Sequence, residues 1–150
     1  MTQELKQVAP EFTLMSHNSE EISLSDYRGK WVILFFYARD GSPTCKRGCL
    51  SFKEQYDLFK SVNCEIIGIS GDSVESHKEF KDLLDLPFPL LSDDMGDVRK
   101  MYDVPSYLGK FPGKSSFIIN PEGEIVHVYD WLFRPRRHVA KILSKLSSVG

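Results

Sequence analysis

The feature that most constrains the fold is an unbroken run of seven large apolar residues, Trp31 to Tyr37, bounded by Gly29-Lys30 and by Ala38-Arg39-Asp40-Gly41. Such a run is typical of a strand that is buried on both faces inside an α/β sheet, and it is far too short to span a bilayer. Ser42 and Pro43 follow it and predict a helix start, because Ser is a preferred N-cap and Pro fits the first helical turn. We therefore predict an inner strand that delivers the chain to the N-terminus of a helix.

Elsewhere the periodicity predicts short strands that alternate with amphipathic helices. The predicted elements are a hairpin of strands 12–14 and 22–24, a helix 43–59, a strand 65–70, helices 73–84, 97–102 and 136–146, and a hairpin of strands 115–120 and 124–129. The segment 86–91 contains two prolines, so we expect at most a short edge strand there. The order predicts a thioredoxin-like α/β sandwich with an N-terminal β-hairpin addition, in one domain over residues 1–150.

Composition excludes several classes of protein. Lys plus Arg total 19 and Asp plus Glu total 21, so no basic excess predicts nucleic-acid binding. Aromatic residues make up 12% of the chain, which argues against disorder. The N-terminus has no apolar segment typical of secretion, and three cysteines is an odd number for a disulfide-stapled domain. We therefore expect no membrane partner and a reducing soluble compartment such as the cytoplasm.

Two cysteines stand at the predicted helix start. Cys45 is the third helical residue if Ser42 is the N-cap, so its sulfur lies near unpaired N–H groups, which favour the nucleophilic thiolate. Cys49 lies one turn later, where a disulfide is possible but strained and therefore labile. Two half-buried cysteines without chemistry remain an alternative. A general thiol–disulfide oxidoreductase is less well supported, because the CxxC spacing is absent, and metal binding lacks further ligands.

The remaining candidate residues have simpler interpretations. Cys64 opens a predicted strand and is expected to be a buried apolar thiol. The four histidines, which are scattered along the chain, predict no metal site. We expect His77 to be a solvated or capping residue of its helix, and His127 to face solvent from its strand.

Five segments carry a resemblance to a known family. The chain resembles the peroxiredoxins of the bacterioferritin-comigratory, or peroxiredoxin Q, type nearly from end to end, which implies the peroxiredoxin version of the thioredoxin-like fold. The matching segments are VAPEFTL (8–14), ISLSDYRGKWVILFFY (22–37), CEIIGISGDSVESHKEF (64–80), LPFPLLSDDMGDVRKMYDV (86–104) and SSFIINPEGEIVHVY (115–129).

The resemblance implies a thioredoxin-dependent peroxidase without metal or organic cofactor. Cys45 corresponds to the peroxidatic cysteine, which attacks a peroxide and becomes a sulfenic acid. The family's resolving cysteine often lies five residues later, where this chain has Leu50, so Cys49 is the available thiol for an intramolecular disulfide. Thioredoxin or a similar dithiol would reduce that disulfide. We expect a monomer or a weak homodimer.

The chain departs from the family at three site positions. Ala38 replaces a proline, Ser42 replaces a threonine but keeps the hydroxyl, and Lys114 replaces an arginine. Lys keeps the charge without the planar guanidinium fork, which implies weaker activation of the peroxide. The alternative function is therefore a weakened or inactive homologue that acts as a redox sensor or binding module. Four other arginines could supply the fork: Arg39, Arg47, Arg136 and Arg137.

Overall fold

An eight-stranded mixed sheet forms the centre of the fold. The structure is a computed structural model, and it describes residues 7–104, 106–107, 111–112, 114–130 and 135–149. The elements in chain order are β1 (Gln7–Val8), β2 (Thr13–Ser16), β3 (Glu21–Ser23), β4 (Trp31–Phe36), α1 (Pro43–Glu54), α2 (Tyr56–Ser61), β5 (Cys64–Ser70), α3 (Val74–Leu84), β6 (Leu90–Ser92), α4 (Asp97–Met101), β7 (Ser106–Tyr107), β8 (Phe111–Pro112), β9 (Ser115–Ile119), β10 (Glu124–Asp130) and α5 (Pro135–Val149). A 3-10 turn, Leu24–Tyr27, follows β3.

The strand order is β1-β10-β9-β4-β5-β6-β2-β3, while β7 and β8 form a separate two-stranded ribbon. Strands β4, β5 and β6 are parallel, and β9 runs antiparallel to β4. The apolar run therefore lies between β5 and β9, which confirms the predicted inner strand. The predicted N-terminal hairpin is also confirmed, because β2 pairs with β3 at the far end of the sheet.

Two local predictions were wrong. Strand β6 is not at an edge, because it lies between β5 and β2. Pro87 and Pro89 precede it, so their missing N–H groups do not interrupt it, and the Pro89 carbonyl accepts a hydrogen bond from Gly68 at 3.1 Å. The predicted helix 43–59 is two helices, since Gln55 adopts φ −103° and ψ 7° between α1 and α2.

Alternate residues of β4, continued by Tyr37 directly after it, enter two separate apolar clusters. Ile33, Phe35 and Tyr37 join the cluster that contains residues of α1, α2, α3 and α5, whereas Val32, Leu34 and Phe36 join the cluster that contains α4. The ring of Phe35 stacks on Phe52 of α1 with 4.7 Å between centroids. This contact fixes α1 over the sheet, with its N-terminus at the carboxyl end of β4.

None of the helices within the described ranges has the length and apolar character needed to cross a membrane.

Candidate active site

The β4–α1 loop, residues 37–42, positions the start of α1. Ser42 has extended backbone angles and is the N-cap, and Pro43 occupies the first helical turn, as predicted. The Ser42 carbonyl accepts the first helical bond from Lys46 at 2.8 Å. Among the described residues the Ser42 hydroxyl makes no capping bond to α1. The hydroxyl is therefore not committed to holding the helix.

Cys45 and Cys49 lie together inside the apolar cluster beneath this helix start. Both are free thiols with 0% exposed surface, and Tyr37 and Phe52 belong to the same cluster. Burial raises the pKa of the Cys49 thiol strongly, and the negative charges of Cys45 and Asp40 raise it further. Cys49 therefore remains a protonated thiol at neutral pH while it is enclosed.

Cys64 lies at the amino end of the inner strand β5, whereas the start of α1 lies at the carboxyl ends of the parallel strands. It opens β5 and pairs with Trp31, the first residue of the parallel strand β4, whereas α1 starts beyond the last residue of β4. Its side chain is buried, and this burial, with a smaller effect from Glu65, raises its pKa. The predicted buried thiol is confirmed, and the strand register separates it from Cys45.

The structure places Lys114 at the same edge as the helix start. It immediately precedes β9, whose first residue, Ser115, pairs with Phe36 at the end of β4. The Lys114 side chain is half-buried, and Lys114 interacts with neighbouring groups. Arg39 and Arg47 are exposed, and the side chains of the two arginines at 136–137 lie outside the described residues.

A further cation at this edge, Arg99 of α4, is not predicted by the sequence. Its guanidinium Nη2 donates a hydrogen bond to the Tyr37 carbonyl at 2.8 Å, and its Cζ lies 5.9 Å from the centroid of the Phe36 ring. Burial lowers the pKa of Arg99, while the charges of Asp93 and Cys45 act in the opposite direction. Arg99 is therefore near enough to interact electrostatically with Cys45, although α4 packs on the other face of the sheet.

A buried polar network joins the β4–α1 loop to α3. The Asp40 carboxylate accepts hydrogen bonds from the Tyr37 hydroxyl at 2.6 Å, the Ser76 hydroxyl at 2.8 Å and His77 Nδ1 at 2.9 Å. The backbone N–H of Asp40 donates to Asp72 Oδ2 at 2.7 Å. Asp40 is thus held from three directions: its own loop, the β5–α3 loop and helix α3.

Both ring nitrogens of His77 face hydrogen-bond acceptors. Nδ1 faces the Asp40 carboxylate, and Nε2 lies 3.0 Å from the backbone carbonyl of Leu91. A carbonyl and an ionised carboxylate only accept hydrogen bonds, so this arrangement suits a ring with two N–H donors. Asp40 and His77 form an ion pair whose side chains are 7% and 0% exposed.

The same network sets the ionisation of its oxygen groups. Burial acts to raise the pKa of Asp40, but hydrogen bonds from His77 and Tyr37, together with the His77 charge, outweigh burial and lower it. Burial raises the pKa of the Tyr37 phenol well above its usual value, and Cys49 and Asp40 add to this rise. Asp40 is therefore the negative group, and Tyr37 keeps its proton as a donor.

Asp40, Asp72 and His77 also have potential metal-ligand atoms that all lie within 4.8 Å of one another. Both ring nitrogens of His77 already have hydrogen-bond partners in Asp40 and Leu91. Asp72 Oδ2 already accepts from the Asp40 amide and from the Ser70 hydroxyl at 2.6 Å. The donor set is occupied by the network itself, so we do not infer a metal site from it.

Two predictions about histidines were wrong. His77 is fully buried rather than solvated, because its two donors have acceptors inside the fold. His127 is 6% exposed and stacks against Tyr129, with 6.1 Å between centroids. The ladder between β10 and β9 shifts its register between Ile125 and His127, which breaks the alternation that placed His127 outside.

The chain is similar in sequence to a known protein family and to several of its members. The AhpC/TSA family model matches residues 5–128. Peroxiredoxin Q of Sedum lineare is 40% identical over 141 residues, which cover 93% of this chain and 76% of that protein. Peroxiredoxin Q of Oryza sativa subsp. japonica is 39% identical over 94% of this chain, and the chain spans 65% of its length.

Solved structures agree with these relatives. Peroxidoxin BcpB from Mycobacterium tuberculosis superposes with a TM-score of 0.89 at 25% identity, covering 99% of both chains. Peroxiredoxin Q of Xanthomonas campestris gives a TM-score of 0.84 at 27% identity, covering 91% of this chain and 90% of that one. The predicted fold is confirmed. The chain belongs to the AhpC/TSA family, as a peroxiredoxin of the Q, or bacterioferritin-comigratory, type.

Proposed function

We propose that this protein is a thiol-dependent peroxidase in which Cys45 is the nucleophile. The observation that carries the proposal is the placement of Cys45 as the third residue of α1, where helical N–H groups lack intrahelical partners. The thiolate attacks one oxygen of a hydroperoxide, the O–O bond breaks, and the other oxygen leaves with a proton as water or an alcohol. Cys45 is then a sulfenic acid.

In the second step Cys49 resolves the sulfenic acid. The Cys49 thiol attacks the Cys45 sulfur, an S–S bond forms, and the hydroxyl leaves with the thiol proton as water. Thioredoxin or a similar dithiol then reduces this disulfide, so the cycle uses sulfur chemistry and no other cofactor. An ideal helical turn strains the bond, so we expect the first turn of α1 to unwind as it forms.

Three polar groups at the carboxyl end of β4 support peroxide activation. The uncommitted Ser42 hydroxyl is available to a peroxide oxygen, and Lys114 and Arg99 bring positive charge to the same edge. Cations and donors aimed at the departing oxygen stabilise the transition state. Hydrogen peroxide and organic hydroperoxides share this O–O group, and both are proposed substrates.

The decisive experiment mixes reduced protein with hydrogen peroxide in a single turnover and follows the loss of free thiol. We expect rapid loss in wild type, none above the free-cysteine rate in Cys45→Ser, and near wild-type behaviour in the matched control Cys64→Ser. Equal rates in wild type and Cys45→Ser would exclude Cys45 as the nucleophile.

A second experiment tests Cys49. Mass spectrometry of digested, once-oxidised wild type should identify a Cys45–Cys49 disulfide, and Cys49→Ser should retain the first step but accumulate sulfenic or sulfinic Cys45. Oxidised wild type that contains only oxidised Cys45 would instead mean a one-cysteine mechanism.

We further propose a reducing soluble compartment, such as the cytoplasm, because the cycle needs a dithiol reductant and because Cys45, Cys49 and Cys64 are all free thiols. The plant relatives are named as chloroplastic proteins. Size-exclusion chromatography with light scattering tests the proposed monomer or weak homodimer, and fractionation of the source cell tests the compartment.

A further inference from the structure

One residue anchors the β4–α1 loop, and α1 begins three residues after it. Asp40 makes three side-chain hydrogen bonds and one backbone hydrogen bond to its surroundings. Ser42, by contrast, has no side-chain bond to α1 in the described part of the chain. The position of the helix start therefore depends on the anchor at Asp40 more than on the cap.

A glycine separates the anchor from the cap. Gly41 has φ +81°, in the left-handed region that favours glycine. Apart from its two chain neighbours, no described residue has a heavy atom within 4 Å of the position that a Cβ would occupy there. Gly41 therefore supplies the left-handed turn that links the anchored Asp40 to the start of α1.

The two steps of the proposed cycle need different conformations of the segment that follows Gly41. Attack on a peroxide uses Cys45 in the intact first turn of α1, whereas a bond to Cys49 distorts that turn. The negative charge of Asp40 also acts on Cys49, since it is one of the causes that raise the Cys49 pKa. The Asp40 anchor thus favours the first step and opposes the second.

We propose that the Asp40–His77 ion pair is a latch: it holds the β4–α1 loop in the geometry for peroxide attack and opens as the Cys45–Cys49 disulfide forms. Asp40 and His77 are positioning residues, because they act through the loop and do not touch the peroxide. The inference rests on the proposed function and adds that the ion pair sets the relative rates of its two steps. The bonds formed and broken are those already given for resolution.

Variants of the pair provide the first test. In stopped-flow single turnovers with hydrogen peroxide, Asp40→Asn and His77→Gln should slow the oxidation of Cys45 and accelerate the following disulfide formation about tenfold. They should therefore form less sulfinic acid at high peroxide. The control Glu79→Gln makes a similar change at an exposed position of α3. A purely structural role would slow both steps together, and an unchanged ratio of the two rates would overturn the latch.

A measurement on wild type keeps the inference testable if these variants fold poorly. Diamide, a chemical dithiol oxidant, makes the disulfide without any peroxidase activity. The ¹⁵N resonances of the His77 ring should show two N–H groups in the thiol form and change on oxidation, and exchange of the Asp40 amide should rise. Identical His77 resonances in both forms, or no Cys45–Cys49 disulfide with diamide, would overturn the latch. Loss of peroxide consumption alone would overturn only the proposed function.

Discussion

Asp40, in the β4–α1 loop, and Cys49, in α1, both have buried side chains, yet the pKa of Asp40 is lowered and the pKa of Cys49 is raised. At Asp40 the desolvation is offset by hydrogen bonds and by the His77 charge, and the carboxylate pKa falls. At Cys49 the apolar surroundings offer no such compensation, and the thiol pKa rises strongly. The comparison teaches that partners, rather than depth, decide which buried group carries charge. It also distinguishes a fixed end, the anchored residue Asp40, from a thiol end, the reactive residue Cys49.

The largest expected effect comes from removing the charge at the fixed end. Asp40→Asn leaves the buried His77 cation without its counter-ion, so we expect the free energy of unfolding to fall by about 3–5 kcal/mol. Urea denaturation at neutral pH measures this loss. The exposed control Glu79→Gln should stay within about 0.5 kcal/mol of wild type. A loss below about 1 kcal/mol for Asp40→Asn would show that the ion pair contributes little to the fixed end.

The two ends also differ in how far the sequence predicts them. The apolar run ending at Tyr37 and the Ser42-Pro43 start place Cys45 correctly, because strand burial and helix capping depend on neighbouring residues. The partners Asp40 and His77 are 37 residues apart, and polar residues in a loop and on an amphipathic helix ordinarily predict solvent exposure. Their pairing depends on the parallel order of β4, β5 and β6, which brings α3 beside the loop.

Arg99, on the other face of the sheet, is a second residue whose contacts the sequence does not predict. A basic residue on a short predicted helix carries no sign that it reaches an edge shared with Cys45. Its contact with the Tyr37 carbonyl depends on how α4 packs against Phe36. The resemblance to a family identified Lys114 for the cationic position, but it could not locate a second cation that this chain places nearby.

The second prediction concerns this second cation. Arg99→Met removes a charged donor from the Tyr37 carbonyl, and hydrogen bonds of that kind contribute about 1.5–3 kcal/mol. The Arg99 charge also acts on Cys45, so its loss should weaken stabilisation of the transition state, and we expect the rate constant of Cys45 oxidation by peroxide to fall about 10- to 100-fold. Arg39→Met is the control, since Arg39 is exposed on the same loop. Equal rates for the two variants would place Arg99 outside the reaction.

The third prediction concerns Lys114. Lys114→Arg restores a planar fork at the edge shared with Cys45, so we expect the peroxide rate constant to rise about tenfold, which is about 1.4 kcal/mol. The same substitution in the Arg99→Met background should give a larger gain if both cations serve one role. A rate that is unchanged or lower in both backgrounds would mean that the site is adapted to lysine.

The fourth prediction tests the thiol end by pH. Cys49 must lose its proton to attack Cys45, and its raised pKa keeps the attacking thiolate scarce at neutral pH. The rate of disulfide formation after a single peroxide turnover should therefore rise with pH through the neutral range, by at most about tenfold per pH unit. Quenched-flow mass spectrometry measures it. A rate independent of pH would show that unwinding of α1, rather than deprotonation, limits resolution.

The smallest effect is the acid dependence of the fixed end. The pKa of Asp40 is lowered from 3.8, so the unfolded chain binds its proton first as the pH falls. The stability that Asp40 contributes is fully present above about pH 5 and is lost as the pH falls through 3.8 towards the lower folded value. Urea denaturation at several values between about pH 3 and pH 6 should show the stability gap between wild type and Asp40→Asn narrowing at the acid end. The groups around the carboxylate do not reverse this sign, because His77 and Tyr37 remain donors in acid and the amide of Asp40 bonds to Asp72 in both proteins. A gap that stays constant or widens in acid would mean that Asp40 gains nothing from its partners, and the contrast with Cys49 would then have another cause.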